Sequence, residues 1–161
     1  MEASEAAARE GTARPGDAQG DRLTMDEAVN AAKKDGTWNE SYGYEYVDEQ
    51  GWASVDSQGR VLQHGGVSSD DFHGFGGDII PVDAVTAGKN NITTFYSGAT
   101  KGEYGGFLTE IDKPRQFMTV TPLQKALIVV GHEAWHQSNG GGHENTADIS
   151  GYQFCKRVGG C

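Results

Sequence analysis

Residues 121–148 read TPLQKALIVVGHEAWHQSNGGGHENTAD, and this stretch decides the fold. Thr121 is an N-cap, Pro122 suits the first helical position, and Gln124 stands at capping-box distance, so a helix starts here. At 3.6 residues per turn, Leu123, Ala126, Leu127, Val130 and Ala134 form one apolar stripe, and Ile128, Val129 and Trp135 flank the opposite face. Such a helix is buried on most sides. His132 and His136 fall on the opposite side, with Lys125 about two turns before the first of them. Asn139-Gly140-Gly141-Gly142 cannot continue the helix and is long enough to reverse the chain, so residues 144–157 are expected to return as a second, antiparallel helix.

Two imidazoles four residues apart on one helical face can hold a single zinc ion (Zn2+), and the pentapeptide His132-Glu133-Ala134-Trp135-His136 also sets a carboxylate beside the water such an ion activates. That chemistry hydrolyses amides, with Glu133 as general base. A catalytic zinc keeps one position for water, so one more protein ligand is needed, and His143, Glu144 and Asp148 are the candidates. In an antiparallel helix pair the position numbers of facing residues have a constant sum. Glu144 opposite His136 and Asp148 opposite His132 satisfy this together. The pairing makes Glu144 the third ligand and Asp148 the acceptor for the free ring N–H of His132, with His143 as the alternative ligand.

These residues resemble the zincin metallopeptidases, and within them the gluzincin branch that includes thermolysin. His132-Glu133-Ala134-Trp135-His136 matches the HExxH signature, and Glu144-Asn145-Thr146-Ala147-Asp148 matches that branch's ExxxD pattern of third ligand and supporting acid. The separation between the two is shorter than in thermolysin, and the likeness covers about the last forty residues. The metzincin pattern HExxHxxGxxH fits less well: Asn139 stands at its glycine and Gly142, one residue before His143, at its third histidine. The resemblance implies a compact zincin-like α+β domain, a small mostly antiparallel sheet packed on the HExxH helix, and cleavage of peptide bonds.

Upstream, residues 1–22 are rich in Ala, Glu, Gly and Arg without an aromatic residue and read as a disordered tail or linker, leaving 23–161 as the metallopeptidase domain. Thr24-Met25-Asp26-Glu27 is a capping box, and Gly36 after Lys33-Lys34 is a stop, so a helix is expected over about 25–34. Alternating Tyr42, Tyr44 and Tyr46, then a turn at 48–51 into Trp52 and Val55, predict a hairpin. A second turn at 56–59 precedes Val61-Leu62, and the glycine-rich residues 65–77 read as a loop. Strands are expected at 92–96, 106–111 and 116–120. The 106–111 strand is the candidate to border the cleft and hold an extended peptide. His73, Tyr96, Tyr104 and Tyr152 are nominees for oxyanion support, and His64 and His73 otherwise read as loop residues.

The net charge of -10 in 161 residues excludes a phosphate-driven nucleic-acid partner. No apolar run reaches membrane-spanning length, and the acidic start lacks the features of a signal peptide. Cys155 and Cys161, the only cysteines, read either as a small disulfide loop or as reduced thiols. The expected protein is a soluble zinc-dependent peptidase acting on a protein or peptide. Its size and acidic leader also resemble a toxin or effector domain of a larger bacterial secretion-system polypeptide, which implies a non-Sec export route and a cognate inhibitor or immunity protein. Two other readings remain: a non-catalytic structural-zinc or protein-binding module, and a zinc amidase acting on peptidoglycan peptides.

Overall fold

A helix that is apolar on most sides needs partners on most sides. In the computed structural model, which describes residues 7–8, 11–12, 18–57, 61–66, 78–101, 104 and 119–161, the helix beginning at Pro122 has them. The described elements are, in chain order, β1 (Ala7–Ala8), β2 (Gly11–Thr12), α1 (Ala18–Asp35), β3 (Gly43–Val47), β4 (Gly51–Val55), β5 (Val61–Gly66), β6 (Asp78–Val82), β7 (Ala84–Ala87), β8 (Ile92–Tyr96), a 3-10 turn at Ser97–Thr100, α2 (Pro122–Asn139) and α3 (Glu144–Arg157). The class is α+β. α2 packs against α3, α1, the 3-10 turn and β7, and every residue from Lys125 to Gly131 is buried. Its start is capped reciprocally: Gln124 N–H donates to Thr121 Oγ1 at 3.1 Å, and Thr121 N–H to Gln124 Oε1 at 3.0 Å.

The longer strands form two three-stranded sheets. In the first, with order β3-β8-β7, β3 runs parallel and β7 antiparallel to β8; the second, β5-β4-β6, is antiparallel throughout. Strand parity sorts the side chains into layers. Tyr46 and Phe95 face the helices and join Trp38, Met25, Val29, Ile128, Val130 and Phe154 in the main core. Val85 and Tyr96 point the other way and meet Ala53 of the second sheet, with Val47, Val55 and Val82 around them. The result is helices on one sheet and that sheet on another.

Several expectations change. The first helix starts at Ala18, not near 25, because Asp21 is buried and finds long-range partners: Lys101 Nζ at 3.5 Å and the Tyr46 hydroxyl at 3.4 Å. The tail expected over 1–22 therefore gives up its last residues to α1, and the backbone pairs β1 with β2 before that. The expected hairpin of residues 42–55 does not form. β3 pairs with β8 while β4 pairs with β5 and β6, so the turn between β3 and β4 crosses from one sheet to the other. β4 and β5, on either side of the second expected turn, do pair antiparallel. His64 lies in β5 opposite Ala53 and is not a loop residue. Strands β6 and β7 add to the expected set, and Pro81 is tolerated in β6, an edge strand among the described residues. The expected strand at 106–111, most of the one at 116–120, residues 67–77 and His73 lie outside the described residues, while Thr119 and Val120 belong to no strand.

α3 returns antiparallel to α2, and the two backbones touch where both residues are glycine. A Cβ on Gly151 would stand 2.3 Å from the Ile128 carbonyl oxygen, and one on Gly131 would stand 2.7 Å from Gly151 Cα. At the far end Gln124 Nε2 donates to the Gly160 carbonyl at 3.0 Å, and Cys155 and Cys161 are joined by a disulfide. Lys125, expected on the histidine side, is buried instead: its ammonium donates to the Lys101 carbonyl at 2.7 Å and pairs with Asp83 at 3.2 Å.

Candidate metal centre

The glycine contact lies one residue before His132, so α3 passes directly over the histidine pair. Three atoms converge there. His132 Nε2 is 2.9 Å from Glu144 Oε1, His136 Nε2 is 3.2 Å from the same oxygen, and the two Nε2 atoms are 3.2 Å apart. Ligand atoms about 2.0–2.1 Å from one tetrahedral ion stand about 3.3 Å from each other, so this triangle has the edge lengths of a zinc site. Among the described residues, His132, His136 and Glu144 form the one such group of His, Cys, Asp or Glu.

The other ring nitrogens settle the tautomers. His132 Nδ1 is 2.7 Å from Asp148 Oδ1, and His136 Nδ1 is 2.8 Å from the Gly140 carbonyl oxygen. Both partners accept, so each Nδ1 donates its hydrogen and each Nε2 is turned to the carboxylate oxygen, where it can carry a proton or face a metal ion. Gly140 adopts φ +83°, ends α2 by donating its N–H to the His136 carbonyl at 2.8 Å, and with its own carbonyl orients the His136 ring. Asp148 is buried and also accepts from the Tyr104 hydroxyl at 2.8 Å.

Three converging lone pairs require positive charge between them, and the titration behaviour agrees. Desolvation opposes a charged His132, yet hydrogen bonds to Asp148 and Glu144 and the nearby carboxylate charges push it up to about 10. Desolvation would raise Glu144, but its hydrogen bonds to the two imidazoles bring it down to about 2. His136 moves up as well, through Glu144 and Glu133, against desolvation and the neighbouring imidazole. Protons and a metal ion are alternative occupants here. Protonating both rings sets two cations against each other at 3.2 Å, whereas one divalent ion serves all three atoms.

Glu133 is buried on the flank of the group, with Oε2 3.8 Å from His132 Nε2 and Oε1 accepting the Thr86 hydroxyl at 2.8 Å. His143 is not in the group. It takes the left-handed conformation at φ 55° just before α3, is exposed, and its ring stands 6.4 Å from that of Trp135. Of the oxyanion nominees, Tyr96 lies in the second core, Tyr104 stands behind His132 against Asp148, and Tyr152 packs beside Lys156. Thr86 was missed by sequence reasoning. The signal that finds it is the pair of short β-prone runs around residues 88–91, which form the β7–β8 hairpin with Asn91 at φ 55°.

Comparison with known proteins gives no matching family, no matching curated protein and no matching solved structure. Among the described residues no helix is long and apolar enough to cross a membrane.

Proposed function

We propose that this protein is a zinc-dependent hydrolase of peptide bonds, a metallopeptidase of HExxH type with a gluzincin-like third ligand. The observation that carries the reading is the triangle of His132 Nε2, His136 Nε2 and Glu144 Oε1 with a buried carboxylate, Glu133, beside it. Three protein ligands among the described residues support a catalytic site, since structural zinc sites close with four. Zinc held there supplies Lewis acidity toward the substrate carbonyl and acidifies water. Glu133 accepts the proton of the attacking water and hands it to the leaving amide nitrogen. Asp148 holds His132 in its metal-binding tautomer, and Gly140 does the same for His136. β7, at the edge of its sheet among the described residues and in contact with α2, offers a backbone edge along which an extended peptide can pair. A protein or peptide is therefore the substrate class. The disulfide supports a working place outside a reducing cytosol, in keeping with an exported effector.

The test is a peptide-library digest by the zinc-loaded chain, its Glu133→Gln variant and a chelated sample, with bound metal counted in parallel. Glu133→Gln is expected to keep one zinc and lose at least about 100-fold in kcat. Chelation is expected to stop cleavage and leave the fold in place. Cleavage by Glu133→Gln at the parent rate removes the assigned base, and unfolding on chelation without cleavage by any sample replaces the hydrolase with a structural-zinc module.

A further inference from the structure

Behind Glu133 runs a chain of polar side chains from α2 through the first sheet. Asn39 N–H donates to Gln137 Oε1 at 2.9 Å, which turns the other end of that amide, Nε2, toward Thr93 Oγ1 at 3.0 Å. Thr93 and Thr86 are directly opposed in the β7–β8 register, with hydroxyls 2.8 Å apart, and Thr86 Oγ1 is 2.8 Å from Glu133 Oε1. An amide nitrogen only donates and an ionised carboxylate only accepts, so each hydrogen has one direction: Gln137 to Thr93, Thr93 to Thr86, Thr86 to Glu133. Thr93, Gln137 and Glu133 are buried.

We propose that Thr86 is a positioning residue for Glu133, with Thr93 and Gln137 setting the direction of its hydroxyl. The relay holds Oε1 against β7 and leaves Oε2, 3.8 Å from His132 Nε2, as the oxygen that faces the metal centre. The catalytic part of this inference rests on the hydrolase reading above. A carboxylate free to rotate would spend much of its time out of line with the attacking water, and small misplacements of a reacting group cost large factors in rate. The strand that would align the substrate would thus also align the base, because β7 carries Thr86.

The experiment compares Thr86→Val, Thr86→Ser and Thr93→Val with the parent. Thr86→Val keeps the shape and removes the hydroxyl. It is expected to lower kcat about 10- to 100-fold with KM and zinc content unchanged, while Thr86→Ser recovers most of the parent rate. Thr93→Val, which leaves Thr86 without its directing donor, is expected to fall between them. Crystal structures of the same variants are expected to show the Glu133 carboxylate rotated away from β7 in Thr86→Val and in place in Thr86→Ser. A Thr86→Val enzyme with parent kcat, or with Glu133 unmoved, overturns the relay. Equal losses in Thr86→Val and Thr86→Ser, or a loss confined to KM, also overturn it. Should Thr86→Val fail to fold, the Thr93→Val rate and the Glu133 position in that variant decide. A parent that binds zinc and cleaves nothing defeats the hydrolase reading, and the position of Glu133 in the crystals then decides the relay alone.

Discussion

Replacing Asp148 probes the step from helix packing to metal affinity most directly. Its Oδ1 accepts the Nδ1–H of His132 at 2.7 Å and the hydroxyl of Tyr104 at 2.8 Å, and the residue is only 7% exposed. A buried charged acceptor behind a ligating imidazole fixes the tautomer and raises the basicity of the facing nitrogen, and removing such a partner typically lowers metal affinity about 10- to 100-fold, or about 1.4–2.7 kcal/mol. Asp148→Asn keeps an acceptor and loses the charge, so the lower figure is expected; Asp148→Ala loses both, and the upper figure is expected. The same charge also helps hold the His132 proton up to about 10, and that proton must leave before a metal binds. Zinc binding to the parent therefore weakens as pH falls below about 10, and it weakens less steeply in the variants, whose imidazole releases its proton at lower pH. The affinity ratio of parent to variant is expected to grow with rising pH. Competition against a chromophoric chelator over a pH series measures it. An Asp148→Ala protein that matches the parent at every pH would show that the 2.7 Å contact does nothing for the metal.

Three further outcomes are expected. Glu144→Gln should lose zinc affinity by orders of magnitude while His143→Ala leaves it unchanged, read by the same competition; the reverse order would transfer the ligand role to His143. Gly151→Ala drives a Cβ to within 2.3 Å of the Ile128 carbonyl oxygen and should destabilise by about 1–3 kcal/mol, lowering the melting temperature by about 2–4 °C per kcal/mol; unchanged melting would mean the helices are not in backbone contact. Burial, with Asp26 beside Tyr44 and Asp21 and Asp48 beside Tyr46, holds both phenols above their ordinary value. The folded chain then binds more protons than the unfolded one above about pH 10, so stability should be full below that pH and fall as pH rises through it. Melting temperatures across that range measure the fall, and Tyr44→Phe should make it shallower.

The α2–α3 pair was legible because its signals are local. A capping box, an apolar stripe and a glycine stop are read within a few turns, and one antiparallel condition then paired Glu144 with His136 and Asp148 with His132, as the structure also pairs them. The sheet half depends on partners far away in the chain. Tyr44 and Tyr46 announce a strand, but alternation says nothing of its neighbour, and β3 lies beside β8 rather than beside β4. Asp21 looks like part of a solvated leader until Lys101 and Tyr46 reach it, and Lys125 looks exposed until the Lys101 carbonyl covers it. The β-prone runs on either side of residues 88–91 mark a strand at Thr86, but its role comes from the Glu133 carboxylate lying over it.

The bare meeting of Gly131 and Gly151 makes α3 a lever with that point as fulcrum. Glu144 lies seven residues along one arm and Asp148 three, or about 10 Å and 4–5 Å at 1.5 Å per residue. A tilt of about 5° swings Glu144 by roughly 0.9 Å, beyond the roughly 0.2 Å latitude of zinc coordination, and shifts Asp148 by roughly 0.4 Å against the His132 ring. The opposite arm ends in the disulfide ring, moored to the start of α2 by the Gln124 to Gly160 hydrogen bond. The disulfide ring and the metal centre thus sit at opposite ends of one helix, on either side of its closest approach to α2.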